Sequence, residues 1–325
     1  MKTKKDPLVA IIVSNYNGSS YFYKRHNILW SVFSSLERTE YKNYKIVMAD
    51  DKSTDNSVKY VKKNFPYVDI VINDSNGGFS KNNNKAIKYA MQKYKPDYIL
   101  LLNNDIEIID GLWLNKLIKV AKSDYKIGLI GCKLIYPTGR IQHAGIVSVN
   151  YAYANRGRGE DDYGQYNKTE EMSGITFALV LINAKIFAKI GFLDENFFMG
   201  YEDTDFCLRT QQNDFKIIYD GKVKAIHLEG FTSTNSKKEN IRNLIFFTGM
   251  RNYIYFSYKY LKLWQRFIGI FINIILGSFL TIEGENRKRS LLNLRIKDKP
   301  FDRFKISIKA IIKGRKLYYK NFLNL

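Results

Sequence analysis

The chain has 325 residues, 45% of them hydrophobic, enough to bury a sizeable core and to exclude a disordered or fibrous chain. Its two cysteines, Cys132 and Cys207, stand far apart in no metal-ligand spacing, which excludes a disulfide framework and points to a reduced, cytosolic compartment. A formal charge of +21 attracts polyanions, yet the excess is uneven: residues 283–325 carry thirteen Lys or Arg against four acids.

Short apolar runs alternate with longer helical patterns over the first hundred residues, which predicts βαβ units and a parallel sheet. The spacing gives a strand at 8–13 and a helix carrying Ile28, Trp30, Val32, Phe33 and Leu36. A strand at 44–49, a helix at 57–64, a strand at 67–72, a helix at 81–92 and a strand at 98–102 follow. The opening apolar run is six residues long, too short for a signal peptide, and reads as a buried strand. Residues 128–177, rich in Gly and Tyr, read as an antiparallel extension with a mobile loop at 151–167. Beyond them lie an apolar run at 177–182, helices at 184–190 and 204–213, and two closing strands at 216–219 and 222–226 that deliver His227.

Each early strand ends in polar residues: Ser14-Asn15, Asp50-Asp51, Asn73-Asp74 and Asn103-Asn104-Asp105. Ligands of open α/β sheets bind outside the carboxyl ends of the strands, so this pattern describes a site. Asp50 suits hydrogen bonds from the base or ribose of a nucleotide, with Asp51, Ser14, Asn15 and Asn104 beside it. Asp105 can meet a diphosphate through Mg²⁺ or Mn²⁺, which take one or two carboxylates plus substrate oxygens; the alternative is a polar turn capped by Asx side chains. Asn76-Gly77-Gly78-Phe79 opens a helix and offers a place for an anion, or is an ordinary glycine turn. No Walker or dinucleotide glycine fingerprint is present.

Glu202, Asp203 and Asp205 crowd three carboxylates into four positions beside Phe197, Phe198 and Tyr201. Crowded, desolvated acids raise at least one pKa and so prepare a base; the alternative is a solvated acidic helix start. His227 reads as a metal ligand or a satisfied structural histidine, and His26 and His143 as structural.

In this order, VSNYNG (13–18), YKNYKIVMADDKSTDNS (41–57), NGGFSKNNN (76–84), LLNND (101–105), GRIQHAG (139–145), GFLDENFFMGYEDTDFCLR (191–209) and AIHLEG (225–230) resemble family 2 glycosyltransferases, in their rhamnosyltransferase-like branch. The resemblance implies a GT-A-type nucleotide-diphospho-sugar transferase fold, with a mostly parallel sheet flanked by helices, over residues 1–240. It implies transfer with inversion from a dTDP- or UDP-sugar, rhamnose or a hexose, to a hydroxyl of a cell-surface glycan. Asp50 then resembles the nucleotide-contacting acid, Asp105 the last acid of the metal motif, His227 its C-terminal metal ligand, and Asp203 the general base. Glu202 shapes the base's surroundings, and Asp205 and Tyr201 lie on the acceptor side. Where the family carries Asp-x-Asp, this chain has Asn-Asn-Asp. It has no Q-x-x-R-W sequence, which argues against a processive synthase.

Residues 241–325 form a basic helical extension in this reading. The uncharged run at 267–282, at sixteen residues, is short of the roughly 20 needed to span a bilayer and reads as a re-entrant or interfacial segment, or a core helix. Phe301, Phe304, Ile308, Ile311 and Ile312 fall at helical spacing among Arg303, Lys309, Lys313, Lys316 and Lys320. Such a helix suits an anionic membrane surface and a lipid-linked acceptor; the alternative is packing on the catalytic domain. Nucleic acid is disfavoured because no recognition motif accompanies the charge. A catalytically dead, lectin-like module is disfavoured by the intact acids and His227.

Overall fold

The computed structural model describes residues 6–149, 152–228, 239–274, 280–282, 294–296 and 300–322. Two compact units emerge: Met1–Glu195 with Glu202–Thr232, and Asn196–Tyr201 with Ser233–Leu325.

In chain order the first unit comprises β1 (Val9–Asn15), β2 (Phe22–Tyr23), β3 (His26–Asn27), α1 (Ile28–Glu37), β4 (Tyr44–Asp50), α2 (Ser57–Asn64), β5 (Asp69–Ile72) and α3 (Gly78–Tyr94). Then come β6 (Tyr98–Asn103), β7 (Ile106–Ile108), α4 (Trp113–Ala121), β8 (Ile127–Ile135), β9 (Ile141–His143), β10 (Ile146–Val149), β11 (Ala152–Asn155) and β12 (Thr169–Glu171). It closes with β13 (Leu179–Asn183), α5 (Ile186–Ile190), α6 (Glu202–Gln212) and β14 (Lys216–His227). The main sheet runs β12-β14-β8-β13-β6-β1-β4-β5, with β7 added to β14 and β9 to β8. β1 pairs parallel with β4 and β6, β4 with β5, and β8 with β14, whereas β13 is antiparallel to both β6 and β8.

Alternation along β1 explains the layers. Val9, Ile11 and Val13 face a core shared with α1, α2 and α4, while Ala10 and Ile12 face one shared with α3, α5 and α6. Both faces are covered, so the central strands are apolar throughout. Register then sets the strand ends side by side: Asn15 opposite Asp50, and Ser14 opposite Asn103.

Two expectations change here. The stretch after 128 is not only an antiparallel extension: β8 is a central strand, and the two closing strands are one strand, β14, with an irregularity between Asp220 and Lys224. The loop expected to be mobile is anchored at its described part. Lys133 on β8, fully buried, reaches Asp162 Oδ1 at 2.9 Å and Asn167 Oδ1 at 2.6 Å, and Lys224 on β14 reaches Asp162 Oδ2 at 2.7 Å. Burial pushes the Asp162 carboxyl up, but Lys224, Lys133 and the Gly164 amide override it and hold it at about 2. Tyr151, the first residue of that loop, lies outside the described residues.

The second unit contains α7 (Glu239–Tyr260), α8 (Leu263–Ile274), the short pair β15 (Leu280–Ile282) and β16 (Leu294–Ile296), and α9 (Pro300–Phe322). Ser307, Ala310 and Gly314 give α9 a narrow buried stripe; a Cβ on Gly314 would meet the Arg251 carbonyl of α7 at 2.7 Å. Part of the uncharged run, residues 275–279, lies outside the described residues. No described helix is long and apolar enough to cross a membrane.

Candidate active site

The parallel register gathers the polar strand ends into one hydrogen-bonded series. Asn104 Nδ2 donates to Asn15 Oδ1 at 2.7 Å, and Asn15 Nδ2 donates to Asp50 Oδ2 at 2.8 Å. Ser53 completes the series by donating its hydroxyl to Asp50 Oδ2 at 2.6 Å and its amide to Oδ1 at 2.9 Å. Asp50 is fully buried, and these bonds order the ends of β1 and β4. Gly18 permits the series, because a Cβ there would stand 2.4 Å from Asn15 Oδ1 and 2.8 Å from Asn104 Nδ2.

Asp51 has a use that spacing did not reveal. Its Oδ1 accepts from the Gly77 amide and its Oδ2 from the Gly78 amide, each at 2.8 Å, and Asn73 Nδ2 adds a third bond. The carboxylate thus fills the positive end of α3, where an anion had been expected. Gly78 and Asp51 are therefore bound to each other, and Asn76 beside them is exposed. Three buried asparagines then fix α3 to its neighbours. Asn82 donates to the Ala49 carbonyl, Asn83 accepts from the Ser14 hydroxyl, and Asn84 exchanges hydrogen bonds with the Leu193 backbone.

Asp105 and His227 are joined by the pairing of β7 with β14, where Ile106 lies opposite His227. Nε2 of His227 lies 3.1 Å from Asp105 Oδ1, and its Nδ1 lies 2.8 Å from Gln142 Oε1 on β9. In the neutral tautomer whose Nδ1–H donates to the Gln142 oxygen, the Nε2 lone pair faces the carboxylate; the imidazolium would instead donate one proton to each oxygen. In that neutral tautomer the two electron-pair donors can share a cation. Adjacent ligands of an octahedral ion with bonds near 2.1 Å stand roughly 3.0 Å apart, so the pair fits Mg²⁺ or Mn²⁺. No group of three or more His, Cys, Asp or Glu forms a metal cluster among the described residues, so a cation here would draw further ligands from substrate or water. Gln142 lies within the quoted motif at 139–145; its spacing said nothing of its partner, because β9 joins the sheet by pairing with β8. Glu229 and Gly230 of the last motif lie outside the described residues.

The acidic cluster divides by helix face. Asp205, fully buried, binds Arg209 at 2.8 Å, and Arg209 also donates to the carbonyls of Ile190 and Phe192. It braces the α5–α6 connection. Tyr201, in the left-handed region at φ 74°, packs its ring on Tyr253 and Phe256 of the second unit. Glu202 is buried at the first turn of α6. Asp203 is partly buried there, its Oδ1 accepting from the Thr204 amide at 2.7 Å and hydroxyl at 3.2 Å. Burial raises its pKa and outweighs the two Thr204 hydrogen bonds that lower it. His143 stays structural: its Nδ1 meets Asn155 Oδ1 at 2.8 Å, and burial foremost lowers its pKa to about 4.

A mixed, mostly parallel sheet flanked by helices, with acids and amides gathered at its strand ends, is the GT-A-type architecture of nucleotide-sugar transferases. The structure of GalNAc-T7 with UDP, GalNAc and Mn²⁺ superposes with a TM-score of 0.59 at 15% identity, covering 99% of this chain and 57% of that one. The glycosyl transferase family 2 profile matches residues 10–191, and the chain belongs to that family. Among its relatives are the O-antigen biosynthesis protein RfbC of Myxococcus xanthus, 27% identical over 69% of this chain and 17% of its own length, and the rhamnosyltransferase WbbL of Escherichia coli K12, 25% identical over 68% and 83%. The chain is thus similar to the rhamnosyltransferase-like branch, and it spans only a small part of the first of these relatives.

Proposed function

We propose that this chain is an inverting, metal-dependent glycosyltransferase of cell-surface glycan assembly. It would move a sugar, rhamnose foremost, from a nucleoside diphosphate to a hydroxyl of a lipid-linked acceptor, as a peripheral enzyme at the inner face of the cell membrane. The observation that carries this reading is the approach of His227 Nε2 to Asp105 Oδ1, 3.1 Å, at the strand ends where Asn104, Asn15 and Asp50 are linked in series. Similarity to the rhamnosyltransferase WbbL supports rhamnose as the sugar moved.

The chemistry follows from what these residues can hold. Asp105 and His227 would bind Mg²⁺ or Mn²⁺, which stabilises charge on a departing diphosphate. The donor's nucleotide lies against the ends of β1 and β4, whose side chains the Asp50 series keeps in place. Asp203 takes the acceptor's proton. Thr204 engages its Oδ1, so Oδ2 receives the proton as the hydroxyl oxygen bonds to the anomeric carbon and the bond to diphosphate breaks on the opposite face. Burial, which raises this carboxyl, makes it a stronger base, and general-base catalysis is worth typically about 10²–10⁴ in rate.

A thermal-shift screen of UDP-, dTDP- and GDP-sugars with and without Mn²⁺ tests the reading. Stabilisation by one nucleotide that requires Mn²⁺ is expected; stabilisation by none of them rejects it.

A further inference from the structure

Helix α8 is built inside out. Arg266, Gly269 and Asn273 form the face turned to α7. The Arg266 guanidinium lies 4.0 Å from the centre of the Tyr258 ring, Asn273 bonds the Tyr253 hydroxyl, and a Cβ on Gly269 would collide with that same hydroxyl. The opposite face carries Leu263, Trp264, Phe267, Ile268, Phe271 and Ile272, each between 46% and 66% exposed, and the helix buries no residue fully. A helix in water turns its apolar face to the core. This one spends its polar face on the protein and offers a continuous apolar stripe to the surroundings, as a surface built for a non-aqueous medium does.

α9, in the same unit, adds charge. Its small residues pack inward, and Phe304, Ile308 and Ile312 stay exposed beside the exposed Lys305, Lys309, Lys313 and Lys316. A second copy of the chain would bring the same +21 to the contact, whereas an anionic bilayer offers both an apolar interior and compensating charge. The twelve described residues of α8 make about 18 Å of helix, long enough to lie in a bilayer's surface. We infer that α8 inserts its Leu263–Ile272 stripe into the interface of an anionic membrane, with Trp264 at headgroup level and the α9 lysines over the headgroups. This rests on the peripheral-membrane reading above and names the element that enters the lipid.

The test uses the full chain with vesicles of phosphatidylcholine alone and with added phosphatidylglycerol, read by flotation and by quenching of tryptophan emission with brominated lipid. Expected are binding that needs the anionic lipid, quenching that disappears in Trp264→Phe, and a partition coefficient at least about tenfold lower for Phe267→Ser/Phe271→Ser. Those side chains are exposed, so the double variant should melt like the parent. No vesicle binding by the parent overturns both the peripheral reading and the inference. Binding unchanged in Phe267→Ser/Phe271→Ser but lost in Lys309→Glu/Lys313→Glu leaves the peripheral reading standing and overturns the assignment to α8. A lipid-free dimer that the phenylalanine substitutions dissociate, without lipid quenching, also overturns it and makes a second copy the occupant.

Discussion

His227 Nε2 lies 3.1 Å from Asp105 Oδ1 while Gln142 Oε1 meets the other ring nitrogen at 2.8 Å. Gln142 would not itself bind the metal; by accepting from Nδ1–H it favours the tautomer that leaves Nε2 free to bind one.

Gln142→Leu should therefore weaken Mn²⁺ binding by about 10–100-fold, read directly by the paramagnetic resonance of free Mn²⁺. Gln142→Glu keeps an acceptor oxygen opposite Nδ1 and should retain most of the affinity. Equal binding by the parent and the leucine variant would remove Gln142 from the site.

Asp203→Asn should lower transfer by roughly 10²–10⁴ while nucleotide affinity stays within a few-fold of the parent. The amide can still accept from Thr204 but cannot take a proton. Calorimetric titration with the nucleotide separates the two effects, and lost donor binding would contradict the assignment.

Gly18→Ala places a methyl 2.4 Å from Asn15 Oδ1 and must push apart the Asn15–Asn104 hydrogen bond. Overpacking of this kind costs about 1–3 kcal/mol, to be read from urea midpoints, and nucleotide affinity should fall with it.

Asp51→Ala leaves the Gly77 and Gly78 amides without their carboxylate at the start of α3. A loss of about 1–3 kcal/mol in stability is expected. If the helix end instead binds the donor's phosphates, added nucleotide will restore the variant more than the parent, which a thermal melt distinguishes.

His143 is buried and neutral, with burial the main cause and the nearby Arg156 and Arg158 charges adding to it, so its pKa is lowered to about 4 from an unfolded value near 6.5. Between those values the unfolded chain binds the proton and the native one does not. The histidine's contribution is thus complete above about pH 6.5, falls as pH drops toward 4 by up to about 3 kcal/mol, and is level below. His143→Gln should flatten the stability profile across that window relative to the parent.

Much of the first unit was legible in sequence because its signal is local. Apolar runs bounded by Asn and Asp gave β1, β4 and β6 to within a few residues, and the helix at 57–64 has those same bounds. Helix α4 went unread, and α7 was covered only by the general expectation of a helical extension at 241–325, with no bounds of its own. The second has 22 residues with apolar and polar groups mixed around its circumference, so no periodic face announces it. β8 was misjudged because Gly128 and Gly131 weaken the look of a strand, whereas in the fold Gly131 makes room for the Ile175 side chain.

Sequence by itself determined the family, the parallel α/β core and the residue types of the site, since each depends on short motifs and period-two or helical spacing. Tertiary structure decided how those residues are spent. Asp50 was turned inward, Asp51 capped α3, Asp205 was paired with Arg209, Gln142 was brought to His227, and α8 was laid with its polar side against α7. The reason is that a carboxylate's work depends on which donors surround it. Those donors arrive on strands and helices remote in sequence, through register and packing that no local pattern encodes.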